Sequence, residues 1–61
     1  MLIDFVDDEG TYTGTSEGGR RWRISRVSTG WRLEFRDAGD VTGTFAGVHR
    51  SVAAAQAEAA R

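Results

Sequence analysis

Between Arg20 and Arg36 the chain alternates apolar with cationic or polar residues, in two blocks separated by three turn-forming residues. The first block is Arg21-Trp22-Arg23-Ile24-Ser25-Arg26-Val27, the second is Trp31-Arg32-Leu33-Glu34-Phe35-Arg36, and Ser28-Thr29-Gly30 joins them. A repeat of two places successive side chains on opposite faces of a strand, so the pattern predicts a β-hairpin with one apolar and one charged face. Trp22, Ile24, Trp31, Leu33 and Phe35 belong to the first face; Arg21, Arg23, Arg32 and Arg36 belong to the second.

That hairpin needs a partner layer, and the chain has little material for one. With 61 residues it is a single small domain, residues 1–61. A domain of this size buries only about 60% of the surface its unfolded chain exposes. The core must come from two Trp, three Phe, one Tyr and a few aliphatic side chains, because no cysteine is present to form a disulfide or a thiolate metal site. No proline occurs, which excludes a Pro-rich linker. The opening Met1-Leu2-Ile3-Asp4-Phe5 has neither a basic stretch nor a long apolar run, so the expectation is a soluble cytoplasmic protein without secretory signal or membrane span. Arg is used to the exclusion of Lys, and Ala and Gly are abundant, as in a GC-rich bacterial or phage genome.

Turn signals recur every eight to ten residues on either side of the hairpin, the pattern of a β-meander. Strands are expected at about 2–6, 11–15, 21–27, 31–36 and 41–45, with Asp7-Asp8-Glu9-Gly10, Ser16-Glu17-Gly18-Gly19 and Asp37-Ala38-Gly39-Asp40 as the further reversals. After Arg50 the period changes. Ser51 is a good N-cap for an Ala-rich helix over about 51–60, which is too short to persist alone and must pack Val52, Ala55 and Ala59 on the sheet. The fold class is therefore α+β: an antiparallel meander of four or five strands with one C-terminal helix on one face. Strand parity then assigns Ile3, Phe5, Tyr12, Trp22, Ile24, Trp31, Leu33, Phe35, Val41 and Phe45 to the helix-covered face. Thr11, Thr13, Thr15, Arg21, Arg23, Ser25, Arg32, Glu34, Arg36, Thr42 and Thr44 fall on the open face, and a one-residue slip would exchange the two sets.

The charge distribution follows these elements. Residues 1–19 carry Asp4, Asp7, Asp8, Glu9 and Glu17 with no Arg, for −5; residues 20–36 carry six Arg against Glu34, for +5; the remainder adds −1. An open sheet face bearing Arg21, Arg23, Arg32 and Arg36 has the chemistry to contact the phosphates of DNA or RNA. The alternative is a solvated face on which Glu34 pairs across the strands with Arg21 or Arg23. Trp22 and Trp31 could stack on bases, but their parity assigns them to the core. Asp7-Asp8-Glu9-Gly10 lacks the spaced oxygen ligands of a calcium loop, and the Gly14 to Gly19 stretch is not followed by Gly-Lys-Ser/Thr. His49, the single histidine, is expected in the connection before the helix, without a catalytic partner. No nucleophile–base pair and no metal cluster emerges, so neither an enzyme, a cofactor nor a small-molecule substrate is expected. The competing expectation is a homodimer or protein-interaction module, in which the acidic N-terminal strand covers the basic hairpin and Leu2 and Val6 meet a partner.

Trp31-Arg32-Leu33-Glu34-Phe35-Arg36-Asp37, followed by Gly43-Thr44-Phe45 and the Ala-rich helix, resembles the plant Apetala-type ethylene-response-factor domain over residues 20–61. Phage integrase arm-binding domains are similar in architecture. The resemblance implies a three-stranded sheet placed against DNA, with Arg21, Arg23, Arg32 and Arg36 on the DNA-facing side. The family's Trp ahead of Gly-Thr-Phe is absent, and the acidic segment 1–19 has no counterpart there. The chain is also similar to small bacterial domains of the YegP type, whose meander and Ser-x-x-x-Ala helix imply no defined activity.

Overall fold

The alternating blocks form the central hairpin of a five-stranded antiparallel sheet, with strand order following chain order. The computed structural model describes residues 3–16 and 18–61. Its strands are β1 (Val6–Asp8), β2 (Thr11–Thr15), β3 (Arg21–Val27), β4 (Gly30–Arg36) and β5 (Thr44–His49), followed by helix α1 (Val52–Ala59). This is the α+β meander expected from the sequence, with its single helix on one face. None of the described helical residues forms a segment long and apolar enough to cross a membrane.

The core lies where α1 meets the middle of the sheet. Ile24 and Leu33 are direct cross-strand partners and both are fully buried, together with Ala55 and Ala59 of the helix. Burying each large aliphatic side chain contributes about 1.5–3 kcal/mol. Ile3, Phe5, Tyr12, Trp22, Trp31, Ala46 and Val52 close around them. The Ala side chains let the short helix sit close to the sheet, and Ser51 secures its start: the Ser51 Oγ accepts from the Ala54 N–H at 3.1 Å. Tyr12 meets Trp31 edge to face at 6.0 Å, and Trp22 meets Phe35 at 5.1 Å.

Two strand boundaries differ from the sequence expectation. The sequence pattern predicts the first strand at 2–6, but Ile3 to Phe5 form no strand and β1 begins at Val6 (Leu2 lies outside the described residues). Asp7 and Asp8 extend the strand because the reversal needs only Glu9 and Gly10, whose positive φ values of 55° and 87° give the tight hairpin geometry. The leading segment instead crosses the helix side of β2 at Gly14. A Cβ there would lie 2.8 Å from both the Asp4 carbonyl oxygen and the Ile3 Cγ2, so only glycine admits this crossing.

The last strand, expected at 41–45, runs from Thr44 to His49 instead. Val41, expected in the core, is 88% exposed in the long connection from β4. Phe45, also expected in the core, pairs with Glu34 and points to the open face, while Thr44 pairs with Phe35 and takes the helix side. Parity is set by pairing with β4, not by the apolar pattern of residues 41–45 alone. Between the Glu34–Phe45 and Arg32–Val48 pairs, β5 carries one extra residue, so Ala46 and Gly47 together oppose Leu33. Ala46, partly buried, packs against the core. His49 is the last residue of β5, opposite Trp31, not part of the connection before the helix.

Candidate nucleic-acid interface

Because Ile24 and Leu33 face the helix, their neighbours in β3 and β4 face away from it. Arg21, Arg23, Arg32 and Arg36 therefore share the uncovered face, and all four are exposed. The register arranges this face in rows. Thr15, Arg21 and Arg36 form one row; Val6, Thr13, Arg23, Glu34 and Phe45 form the next; Ser25, Arg32 and Val48 form a third. Strands about 4.8 Å apart bring the members of each row into side-chain reach.

Three of the arginines converge. Arg21, Arg23 and Arg36 line a shallow depression of about 710 Å³ together with Thr13, Thr15, Glu34, Asp4 and Gly43. Arg32 does not line it. Its guanidinium carbon lies 5.1 Å from the centre of the Phe45 ring on β5, which belongs to the neighbouring row. Residues 3–5 cross on the other side of the sheet at Gly14, with Asp4 also lining the depression that Arg21, Arg23 and Arg36 share.

The electrostatics of the face are unbalanced. Among the described residues the ion pairs are Arg20–Asp37 and Arg61–Glu58, and neither lies on the open face. Glu34 stands directly across from Arg23 without forming an ion pair with it. Arg21 and Arg36 are direct cross-strand partners, an arrangement of like charges that works against the sheet unless an anion lies between them.

The remaining two arginines of the basic block are used differently. Arg20 reaches the helix side at the open end of the central hairpin, 4.0 Å from the Phe35 ring centre, and clamps Asp37 through Nε–Oδ1 at 2.7 Å and Nη2–Oδ2 at 3.1 Å. The hydrogen bonds from Arg20 hold the Asp37 carboxyl below the usual carboxylate range, with the guanidinium charge adding to the effect. Reciprocally, the hydrogen bond to Asp37 raises the Arg20 pKa. Arg26 lies over Trp31, 5.6 Å from the ring centre.

Trp22 and Trp31 lie half-buried on the helix side, as their parity requires, so neither offers a ring to the arginine face. The aromatic that does is Phe45, 57% exposed, with Val48 at 43% beside Arg32. Its position was missed in the sequence because a β5 bulge sets it. The available signal was Gly47, an isolated glycine inside a strand, which often marks a bulge. No family model, curated protein or solved structure matches this chain.

Proposed function

We propose that the protein binds nucleic acid through the uncovered face of the sheet, with Arg21, Arg23, Arg32 and Arg36 contacting phosphates. The observation that carries this reading is the placement of four exposed arginines on one face, none of them in an ion pair among the described residues. The opposed Arg21 and Arg36 favour it further, because a polyanion converts their repulsion into attraction. Thr13 and Thr15 add hydroxyl groups suited to phosphate oxygens. The role is binding rather than catalysis, and the setting is the cytoplasm of a bacterial or phage-infected cell, where such polyanions are met. The resemblance of residues 20–61 to sheet-based DNA-binding domains supports the same face.

Four phosphate contacts correspond to a slope of log affinity against log salt of about −3.6 on a duplex and about −2.8 on a single strand. Fluorescence anisotropy with labelled oligonucleotides at about 50 mM salt tests the reading. Arg23→Ala combined with Arg32→Ala is expected to weaken binding and flatten the slope by about two units. Absence of binding, or binding indifferent to this pair, refutes it.

A second reading has its own observation. Val6 is 64% exposed on the same face, and among the described residues β5 ends the sheet without a further strand beside it. A second copy laying its acidic β1–β2 tip, Asp7 to Glu9, across the arginines would cover both charge and Val6. Such a dimer dissociates at high salt, which sedimentation measures directly.

A further inference from the structure

Phe45 is the feature of the open face that phosphate binding leaves unused. It is a large aromatic ring, 57% exposed in the row that holds Arg23 and Glu34, and Arg32 lies over it at 5.1 Å. The bulge at Ala46–Gly47 puts it there, placing a methyl in the core and the ring on the surface. An exposed ring at the edge of a cationic sheet face supplies the two contacts a single strand offers: charge for its phosphates and a π-surface for an unpaired base.

Resting on the nucleic-acid reading above, we infer that the ligand is single-stranded, with one base stacked on Phe45 while Arg21, Arg23, Arg32 and Arg36 follow the phosphates. The shape of the face selects the same ligand. The arginines line a concave depression that Asp4 and Gly43 also line, and a Cβ at Gly43 would lie 3.0 Å from the Glu34 Oε2. A duplex is stiff over about 150 base pairs and keeps its base faces stacked inside, whereas a single strand bends into a concavity and presents its bases.

The test compares binding of a labelled 20-nucleotide oligothymidylate (about 20 nucleotides, to exceed one site) with binding of a duplex of equal length. Wild type, Phe45→Ala, Phe45→Leu and Phe45→Trp are measured at one salt concentration. Single-strand affinity is expected to exceed duplex affinity, to fall about 5- to 150-fold in both Phe45→Ala and Phe45→Leu, and to be retained in Phe45→Trp. Duplex affinity is expected to stay unchanged across the series. The Leu variant keeps an apolar side chain, so its loss assigns the effect to the ring, and circular dichroism confirms that each variant is folded. Single-strand binding that survives Phe45→Ala yet falls with Arg23→Ala plus Arg32→Ala overturns the stacking inference and leaves the phosphate reading intact. Binding of neither oligonucleotide overturns both. Loss of a dimer in Phe45→Ala without change in oligonucleotide binding assigns Phe45 to a second copy of the chain and overturns the inference.

Discussion

Arg20 and Arg21 are neighbours in the chain and do opposite things. Arg20, at the helix side, stacks on Phe35 and holds Asp37 in a two-point clamp; Arg21, on the open face, has no ion-pair partner among the described residues and looks across at Arg36. The same division separates Arg26, lying over the half-buried Trp31, from the exposed Arg23, while Arg32 on the open face lies over the exposed Phe45 ring. One side of the hairpin uses guanidinium groups as amphipathic covers for aromatic rings. The other holds them exposed, four arginines with Glu34 among them and no ion pair to it among the described residues. The lesson is that strand parity, not residue type, decides which cations pack against the helix-side rings and which stand exposed on the uncovered face.

The sharpest way to break this contrast is to mutate adjacent residues on opposite faces. Leu33→Ala removes a fully buried side chain and is expected to cost about 2–5 kcal/mol, a large part of the stability of so small a domain. Arg32→Ala, one residue earlier, is expected to change stability by no more than about 0.5 kcal/mol. Urea denaturation of the two variants checks both values; comparable losses would mean that the open face contributes to folding as the core does.

A smaller effect sharpens the comparison. Arg36→Glu replaces a like-charge pair with an attractive one across from Arg21, and a gain of a few tenths of a kcal/mol is expected in low salt. The same substitution is expected to weaken oligonucleotide binding. Stability gained together with affinity lost identifies a site kept unfavourable for folding; stability lost on Arg36→Glu would contradict that assignment.

How much of this division can be read without coordinates depends on how local its causes are. Residues 11–15, 21–27, 31–36 and 51–60 announce themselves through alternation, turn residues and the Ser51 cap, all of which act within a few residues. The four open-face arginines follow once the central hairpin is recognised. The Arg20–Asp37 clamp depends on the Arg21–Arg36 register, which alternation alone does not specify. Phe45 does not follow either. Its face depends on where β5 joins β4 after an irregular connection and on a bulge placed by Gly47, so its own neighbours in sequence point the wrong way. Ile3 to Phe5 are misread as a strand for a similar reason: their apolar alternation is real, but it serves a crossing over Gly14 instead of a hydrogen-bonded ladder.

The smallest expected effect lies on the helix side and depends on pH. The Asp37 carboxyl titrates lower in the folded chain than its ordinary value of 3.8, chiefly because Arg20 hydrogen-bonds to its charged form. The clamp therefore stabilises the fold above that ordinary value, and its contribution disappears as pH falls through the lowered folded value. Asp37→Asn is expected to be less stable than wild type near neutral pH and to converge with it in acid. Thermal melts between about pH 2 and pH 7 span the ordinary carboxyl range and measure this. A difference that persists unchanged into acid would show that Asp37 acts through packing rather than charge.

The partition of arginines between the two faces is tested most directly by the salt dependence of oligothymidylate binding. The comparison is between wild type, a variant with Arg21, Arg23, Arg32 and Arg36 all changed to Ala, and Arg20→Ala. The expected result is a slope near −2.8 for wild type and Arg20→Ala, and no measurable binding for the fourfold variant. Equal slopes in all three, or a loss confined to Arg20→Ala, would contradict it.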